Sequence, residues 1–218
     1  AFEDHRTGNY NIAIGNDAHR VGSEGDKNIA IGHAALYQSE SYRNVAVGDS
    51  AHYSNVNGQN NTYLGANTHA TGGGYHNSTA LGYNTEVTAS NQVRIGNTDI
   101  TSIGGKVGWS TLSDARAKST IEEDIVGTDF IMDLRPVSYQ YNEDKSNKRY
   151  SGLIAQEVAA AAAANGYAFS GIDTPQNADD LYSLRYAEFV VPLIKALQEQ
   201  QHRIEALEAK IASLEHKN

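Results

Sequence analysis

Asn11-Ile12-Ala13-Ile14-Gly15 returns as Asn28-Ile29-Ala30-Ile31-Gly32 and again as Asn44-Val45-Ala46-Val47-Gly48. Looser copies follow at Asn61-Thr62-Tyr63-Leu64-Gly65, Ser78-Thr79-Ala80-Leu81-Gly82 and Gln92-Val93-Arg94-Ile95-Gly96. The closing glycines stand 17, 16, 17, 17 and 14 residues apart. That period is too short for a helix-pair repeat and suits one coil holding two short strands. Within each copy a large residue alternates with a small one, the period-two signature of a strand. The glycine either turns the chain through positive φ or lets neighbouring backbones approach. One coil cannot bury its own apolar face, so coils must stack or several chains must share a core.

Composition agrees. Of 218 residues, 39% are hydrophobic, with 20 Gly, 4 Phe and 1 Trp, which is poor material for one large monomeric core. A net charge of −9 argues against nucleic-acid binding, which needs clustered Lys and Arg. No run of 18 apolar residues is present, so no membrane insertion is expected, and no signal peptide is visible. With 0 Cys there is neither a disulfide framework nor thiolate chemistry. No cofactor is expected. The start at Ala1, without methionine, suggests a piece of a longer protein.

Residues 9–97 resemble the repeats in head domains of trimeric autotransporter adhesins and in phage tail-fibre tips. The resemblance implies a homotrimer with stacked coils, a β-roll or β-helix of about 16–17 residues per turn. A monomeric solenoid is the plainer alternative, which the short apolar strands disfavour. Four residues after each glycine stand His19, Leu36, His52, His69 and Glu86. If that column faced a threefold axis, His19, His52 and His69 would each form a ring of three, enough to hold an ion. Solvated turns are the more ordinary use of such positions. Tyr37, Tyr42, Tyr53, Tyr75 and Tyr83 suit sugar recognition, although padding of an interchain surface explains them as well. Trp109 follows the glycine-rich connector and is expected to anchor the end of the β stack.

From Leu112 the style changes, dividing the chain into a β-repeat part at 1–109 and a second part at 110–218. Ser113-Asp114-Ala115-Arg116-Ala117-Lys118 places a serine five residues before a lysine. Serine attacks only when a base takes its proton, and lysine is a base only when burial or a nearby cation keeps it neutral. On a straight helix the two side chains would diverge, so a dyad needs a turn between them or a neighbouring chain. Arg116 can depress the lysine pKa or stabilise an oxyanion, and Asp114 can orient either. Asp114 reads equally well as a helix N-cap.

Further along come Leu134-Arg135-Pro136-Val137-Ser138-Tyr139, Tyr150-Ser151-Gly152-Leu153-Ile154-Ala155-Gln156-Glu157-Val158 and Leu184-Arg185-Tyr186-Ala187-Glu188-Phe189. With the Ser113 stretch, this order resembles the intramolecular chaperone auto-processing domain of endosialidases, tail spikes and tail fibres, over about residues 110–218. The resemblance implies a domain that trimerises, drives folding of the preceding fibre and then cuts itself off. It places the catalytic serine on Ser113, the lysine on Lys118, and the Gly-x-Ile-Ala-Gln-Glu motif on Gly152, Ile154, Ala155, Gln156 and Glu157, so that Gln156 and Glu157 join Asp114 and Arg116 as supporting candidates. Two positions depart from the family pattern. Ala117 stands where a bulky apolar residue is common, and Thr120 where Asn is common. Cleavage is expected beside Ser113, at Ser113–Asp114 or Leu112–Ser113.

The fold class expected is therefore α+β. A helix is expected at Ile125–Leu134, a hairpin from Val137–Tyr141 and Tyr150–Ile154 around a polar turn at Asn142–Arg149, and an alanine-rich helix at Ala155–Ala164. Gly166–Asp180 reads as an exposed arm that could grip the β-fold. A coiled-coil helix spans 187–215, with Val190, Leu197, Ile204 and Ile211 at a and Leu193, Gln200, Leu207 and Leu214 at d. The functional expectation is the end of a phage fibre or spike of the virion tail, with a single-turnover serine endopeptidase acting on itself, the chaperone part being made in the host cytoplasm and released after cleavage. Its partners would be two further copies and a host glycan or protein receptor. The alternative is a non-catalytic trimeric adhesin, or glycan-binding tip, on a coiled-coil foot.

Overall fold

In a computed structural model, the described residues are 8–21, 25–55, 57–142, 144 and 146–216. The chain forms two bodies. Ala1–Gly105 joins with Pro175–Asp180 in the first, and Lys106–Thr174 joins with Leu181–Asn218 in the second.

The first body is a parallel β-solenoid. Its strands are β1 (Ile12–Ile14), β2 (Ile29–Ile31), β3 (Gln38–Ser39), β4 (Val45–Val47), β5 (Ser54–Asn55), β6 (Thr62–Leu64), β7 (His69–Ala70), β8 (Thr79–Leu81), β9 (Glu86–Val87) and β10 (Val93–Ile95). Each copy of the repeat supplies one strand of a six-stranded sheet ordered β1-β2-β4-β6-β8-β10, in register residue for residue. The second strand of each coil forms shorter ladders, β3 with β5 and β7 with β9.

Why the glycines recur is now physical. Gly32 has φ +131 and Gly48 has φ +140, and a Cβ on Gly32 would lie 2.3 Å from the carbonyl oxygen of Gly48. Both readings of the glycine hold, the positive φ and the close backbone approach.

The asparagine that opens each of the first four copies builds a ladder through the stack. Asn11 Oδ1 accepts from Asn28 N at 2.8 Å, Asn28 Oδ1 from Asn44 N at 2.9 Å, Asn44 Oδ1 from Asn61 N at 3.0 Å, and Asn61 Oδ1 from Ser78 N at 2.9 Å. Each Nδ2 donates to a turn carbonyl: Asn11 to Gly25, Asn28 to Ser41, Asn44 to Gly58 and Asn61 to Tyr75. Asn28, Asn44 and Asn61 are buried, so an apolar replacement would strand backbone groups at about 1–3 kcal/mol each.

The interior is thin because small residues line it. The middle strand residues Ala30, Ala46 and Ala80 are buried, as are His19, Leu36 and His52. In the fourth coil the sizes are exchanged. Tyr63 replaces alanine and is fully buried, with its ring stacked on His52 at 3.7 Å, while His69 turns outward to Glu86 at 3.1 Å. His19 and His52 thus lie inside their own solenoid, and the column does not present three histidines outward to an axis.

In the second body, the helix expected at Ile125–Leu134 is one short turn and a half, α1 (Thr128–Met132). The hairpin is β11 (Val137–Tyr139) paired antiparallel with β12 (Tyr150–Gly152), with β11 shorter than expected at its turn end and β12 at its far end. Glu143 and Lys145 of its polar turn lie outside the described residues. The alanine-rich helix α2 runs over Ala155–Ala164, and Asn165-Gly166 ends it, with Gly166 at φ +60. β13 (Ile172–Asp173) pairs with β14 (Ser183–Leu184), and α3 spans Val190–Glu215 after a 3-10 turn at Tyr186–Phe189.

Phe130 of α1 centres the core. Its ring meets those of Phe169 at 5.0 Å and Tyr167 at 5.2 Å, with Val158, Ala161 and Ala162 of α2 and Phe189 packed around. Gly127 provides no side-chain cap for α1, and the first amide of that helix is capped from α3, where Glu199 Oε2 accepts from Thr128 N at 2.8 Å. Trp109, expected to anchor the end of the β stack, falls in the second body and is 87% exposed.

Candidate active site

Asp114 decides the local geometry. Its φ/ψ of −67/132 is that of an N-cap, and its side chain accepts from Arg116 N at 2.8 Å, opening a 3-10 turn over Ala115–Ala117. The turn advances the chain by only three residues, so Ser113 and Lys118, which flank it, return to the same side. Lys118 Nζ donates to Ser113 Oγ at 2.8 Å. The pairing that a straight helix forbids is made by a single tight turn, and the N-cap and dyad readings of this stretch coexist.

The same carboxylate occupies Arg116. Its Nε and Nη2 reach Asp114 Oδ1 and Oδ2 at 3.0 and 2.6 Å, which holds the Asp114 carboxyl below its usual range and raises the guanidinium. Arg116 and Asp114 therefore engage each other. Ser113 and Lys118 are exposed, on a segment from 106 to 127 with no strand and no helix beyond that turn. A shallow open concavity of about 430 Å³ adjoins the pair, lined by Lys118, Ser119, Thr120, Ile121, Glu122 and Asp124. Thr120 holds φ +51 there, a left-handed conformation that a β-branched residue adopts poorly and asparagine tolerates well.

Gln156 and Glu157 lie in the first turn of α2, both exposed. Glu157 is bound by both oxygens to Arg135, with Nε donating to Oε2 at 3.0 Å and Nη2 to Oε1, and this pairing lowers its carboxyl below the usual range. Gly152 leaves room for the Tyr186 hydroxyl, which would stand 2.4 Å from a Cβ at that position and which accepts from Leu153 N at 2.9 Å. Arg185 pairs with Asp173 through both nitrogens. The three later motifs thus tie one another together. Arg135 and Tyr186 do this work, and sequence reasoning gave neither of them a role, although both lie inside the quoted motifs.

Among the described residues, no group of three or more His, Cys, Asp or Glu could hold a metal ion. No helix of the described residues is long and apolar enough to cross a membrane.

Taken together, the chain joins a parallel β-solenoid to a small α+β body that carries a serine–lysine contact at its start and a long helix at its end. Residues 113–167, about a quarter of the chain, match the family model described as chaperone of endosialidase, or Peptidase_S74. No curated protein and no solved structure matches the chain.

Proposed function

We propose that this chain is the end of a homotrimeric phage fibre or spike whose second body drives folding and trimerisation of the solenoid and then cuts itself free beside Ser113. The observation that carries the reading is the 2.8 Å contact from Lys118 Nζ to Ser113 Oγ, at the first residue of the family match.

The chemistry is single-turnover. With Lys118 neutral, its amine takes the Ser113 hydroxyl proton as Oγ attacks the Leu112 carbonyl carbon through a five-membered ring. The proton passes to the Ser113 nitrogen as the Leu112–Ser113 C–N bond breaks, leaving Leu112 esterified on Oγ. Water then hydrolyses the ester to a Leu112 carboxylate and restores the hydroxyl. Cutting at Ser113–Asp114 instead would need attack from another chain's serine, because attack on its own carbonyl closes a strained four-membered ring.

A neutral lysine needs desolvation or a neighbouring cation. Lys118 is exposed and the Arg116 cation is engaged by Asp114, so further copies would have to cover the site. Two surfaces support such association. On the outer face of the six-stranded sheet one column is apolar throughout, with Ile14, Leu64, Leu81 and Ile95 exposed, and in the other Thr62 and Thr79 interrupt an apolar run that ends in the exposed Ile12 and Val93. Helix α3 leaves Leu197, Ile204, Leu207, Ile211 and Leu214 exposed in one stripe. Three chains held in register by that helix would lower the entropic cost of stacking the coils, and cleavage would then trap the product kinetically.

Freshly folded protein should run as two bands, each about half of 23.5 kDa. Ser113→Ala and Lys118→Ala should each give one intact band. Wild-type protein that stays intact after folding overturns the catalytic reading and favours the adhesin without catalysis, for which the exposure of Lys118 speaks.

A further inference from the structure

Arg94 breaks a column. At its place in the six-stranded sheet four of the five other strands carry alanine and one tyrosine, whereas β10, the last, carries a guanidinium. Beside it Gln92 abandons the asparagine ladder. Its Oε1 folds back to accept from Thr88 N at 3.0 Å and Ala89 N at 3.2 Å, which leaves its Nε2 as a donor at the end of the stack.

That donor, the Thr88 hydroxyl and Arg94 converge on one carboxylate. Asp180, whose side chain is 5% exposed, accepts at Oδ1 from Thr88 Oγ1 at 2.7 Å and Gln92 Nε2 at 3.1 Å, with Arg94 Nη2 at 3.6 Å. Its other oxygen accepts from Gln176 N at 3.2 Å. The segment that presents it is pre-folded, since Asn177 Oδ1 accepts from Asp179 N and Asp180 N at 2.9 and 3.1 Å. Outward-facing acceptors beside the carboxylate complete the recognition. Asn177 Nδ2 donates to Thr88 O at 2.7 Å and Gln176 Nε2 to Ser90 O at 3.3 Å.

We propose that Thr88, Gln92 and Arg94 form a carboxylate-binding site on the last coil of the solenoid, filled in this chain by Asp180 acting as a built-in ligand. Two donors and a guanidinium on one oxygen give a preference for an ionised carboxylate over an amide, because only the anion uses the guanidinium charge. The site takes a carboxylate flanked by amide or hydroxyl donors, from an acidic peptide or a sugar acid. That it is vacated in the mature protein, and so becomes a ligand site of the tip, rests on the proposed release at Ser113.

The experiment uses full-length protein carrying Asn177→Ala and Asp180→Ala, checked for retained β-structure by circular dichroism, with Asp180→Asn alone as the milder variant. The probe is the hexapeptide of residues 175–180, titrated calorimetrically. It should bind the variants at least tenfold more tightly than wild type, whose own segment competes. Adding Arg94→Gln to the variants, or ending the peptide in asparagine, should each weaken binding at least tenfold. Galacturonate should displace the peptide, and failure to do so removes the sugar-acid class. Equal binding to wild type and variants, or equal binding of the asparagine peptide, overturns the site. None of these readouts depends on cleavage, which the gel reads separately, so an intact wild-type band would sink the release and leave the site standing.

Discussion

Tyr63 shows how one side chain can be right in size and wrong in polarity. Its ring fills the fourth coil against His52, yet among the described residues its hydroxyl has no hydrogen-bond partner, and burial pushes its pKa well above the usual tyrosine value. The phenol therefore stays protonated at every ordinary pH, and its O–H contributes a desolvation cost with no bond to offset it. Tyr63→Phe should leave stability unchanged or raise it by up to about 1 kcal/mol, whereas Tyr63→Ala should cost about 3–5 kcal/mol by opening a cavity. Urea unfolding of the two variants checks this, and a Phe variant losing more than about 1 kcal/mol would mean that the hydroxyl is bonded. The repeats declared residue 63 to be a strand position, but not that its partner would be a histidine from the opposite side of the coil. Period two says which neighbours share a face, and the closure of a coil decides what that face meets.

At the scale of elements, the six strands were legible because a glycine closes every copy and an asparagine opens the first four, and α2 was legible because Asn165-Gly166 stops it. What escaped is what the sequence spells inconsistently. The residue ahead of the one that opens each copy is left-handed in every coil, at Tyr10, Lys27, Arg43, Asn60, Asn77 and Asn91, and only the last three advertise it by type. The length of α1 escaped as well, because its start depends on a cap 71 residues away, the Glu199 carboxylate on Thr128 N. That bond lowers the Glu199 pKa below its usual 4.5. A depressed folded-state value means that the stabilisation is fully present above the unfolded value and is lost as pH falls through the folded one. The second body should therefore lose melting temperature as pH falls from about 5 towards about 2, and Glu199→Gln, which keeps an acceptor but does not titrate, should flatten part of that fall. A Gln variant whose melting curve falls as steeply as wild type would remove the cap from the account.

For the whole molecule, the serine–lysine contact was half legible. Spacing alone showed that a turn was needed, and the Asp114 N-cap provides it, but a lysine acting as base needs burial or a nearby cation, and Lys118 is exposed with Arg116 engaged by Asp114. The stripe on α3 is where that question can be tested without touching the site. Ile204 and Leu207 are 48% and 53% exposed, so aspartate at both should leave the helix itself intact, surface changes of this kind being worth little within one chain. If self-association through this stripe assembles the site, Ile204→Asp with Leu207→Asp should sediment as a monomer and run as one uncut band, although Ser113 and Lys118 are untouched. Isoleucine at a with leucine at d favours two strands by itself and does not establish a trimer, so sedimentation must also count the chains in wild type. A variant that is monomeric and still cut would place the completion of the site within a single chain, and one that still assembles would move the association from this stripe to another surface.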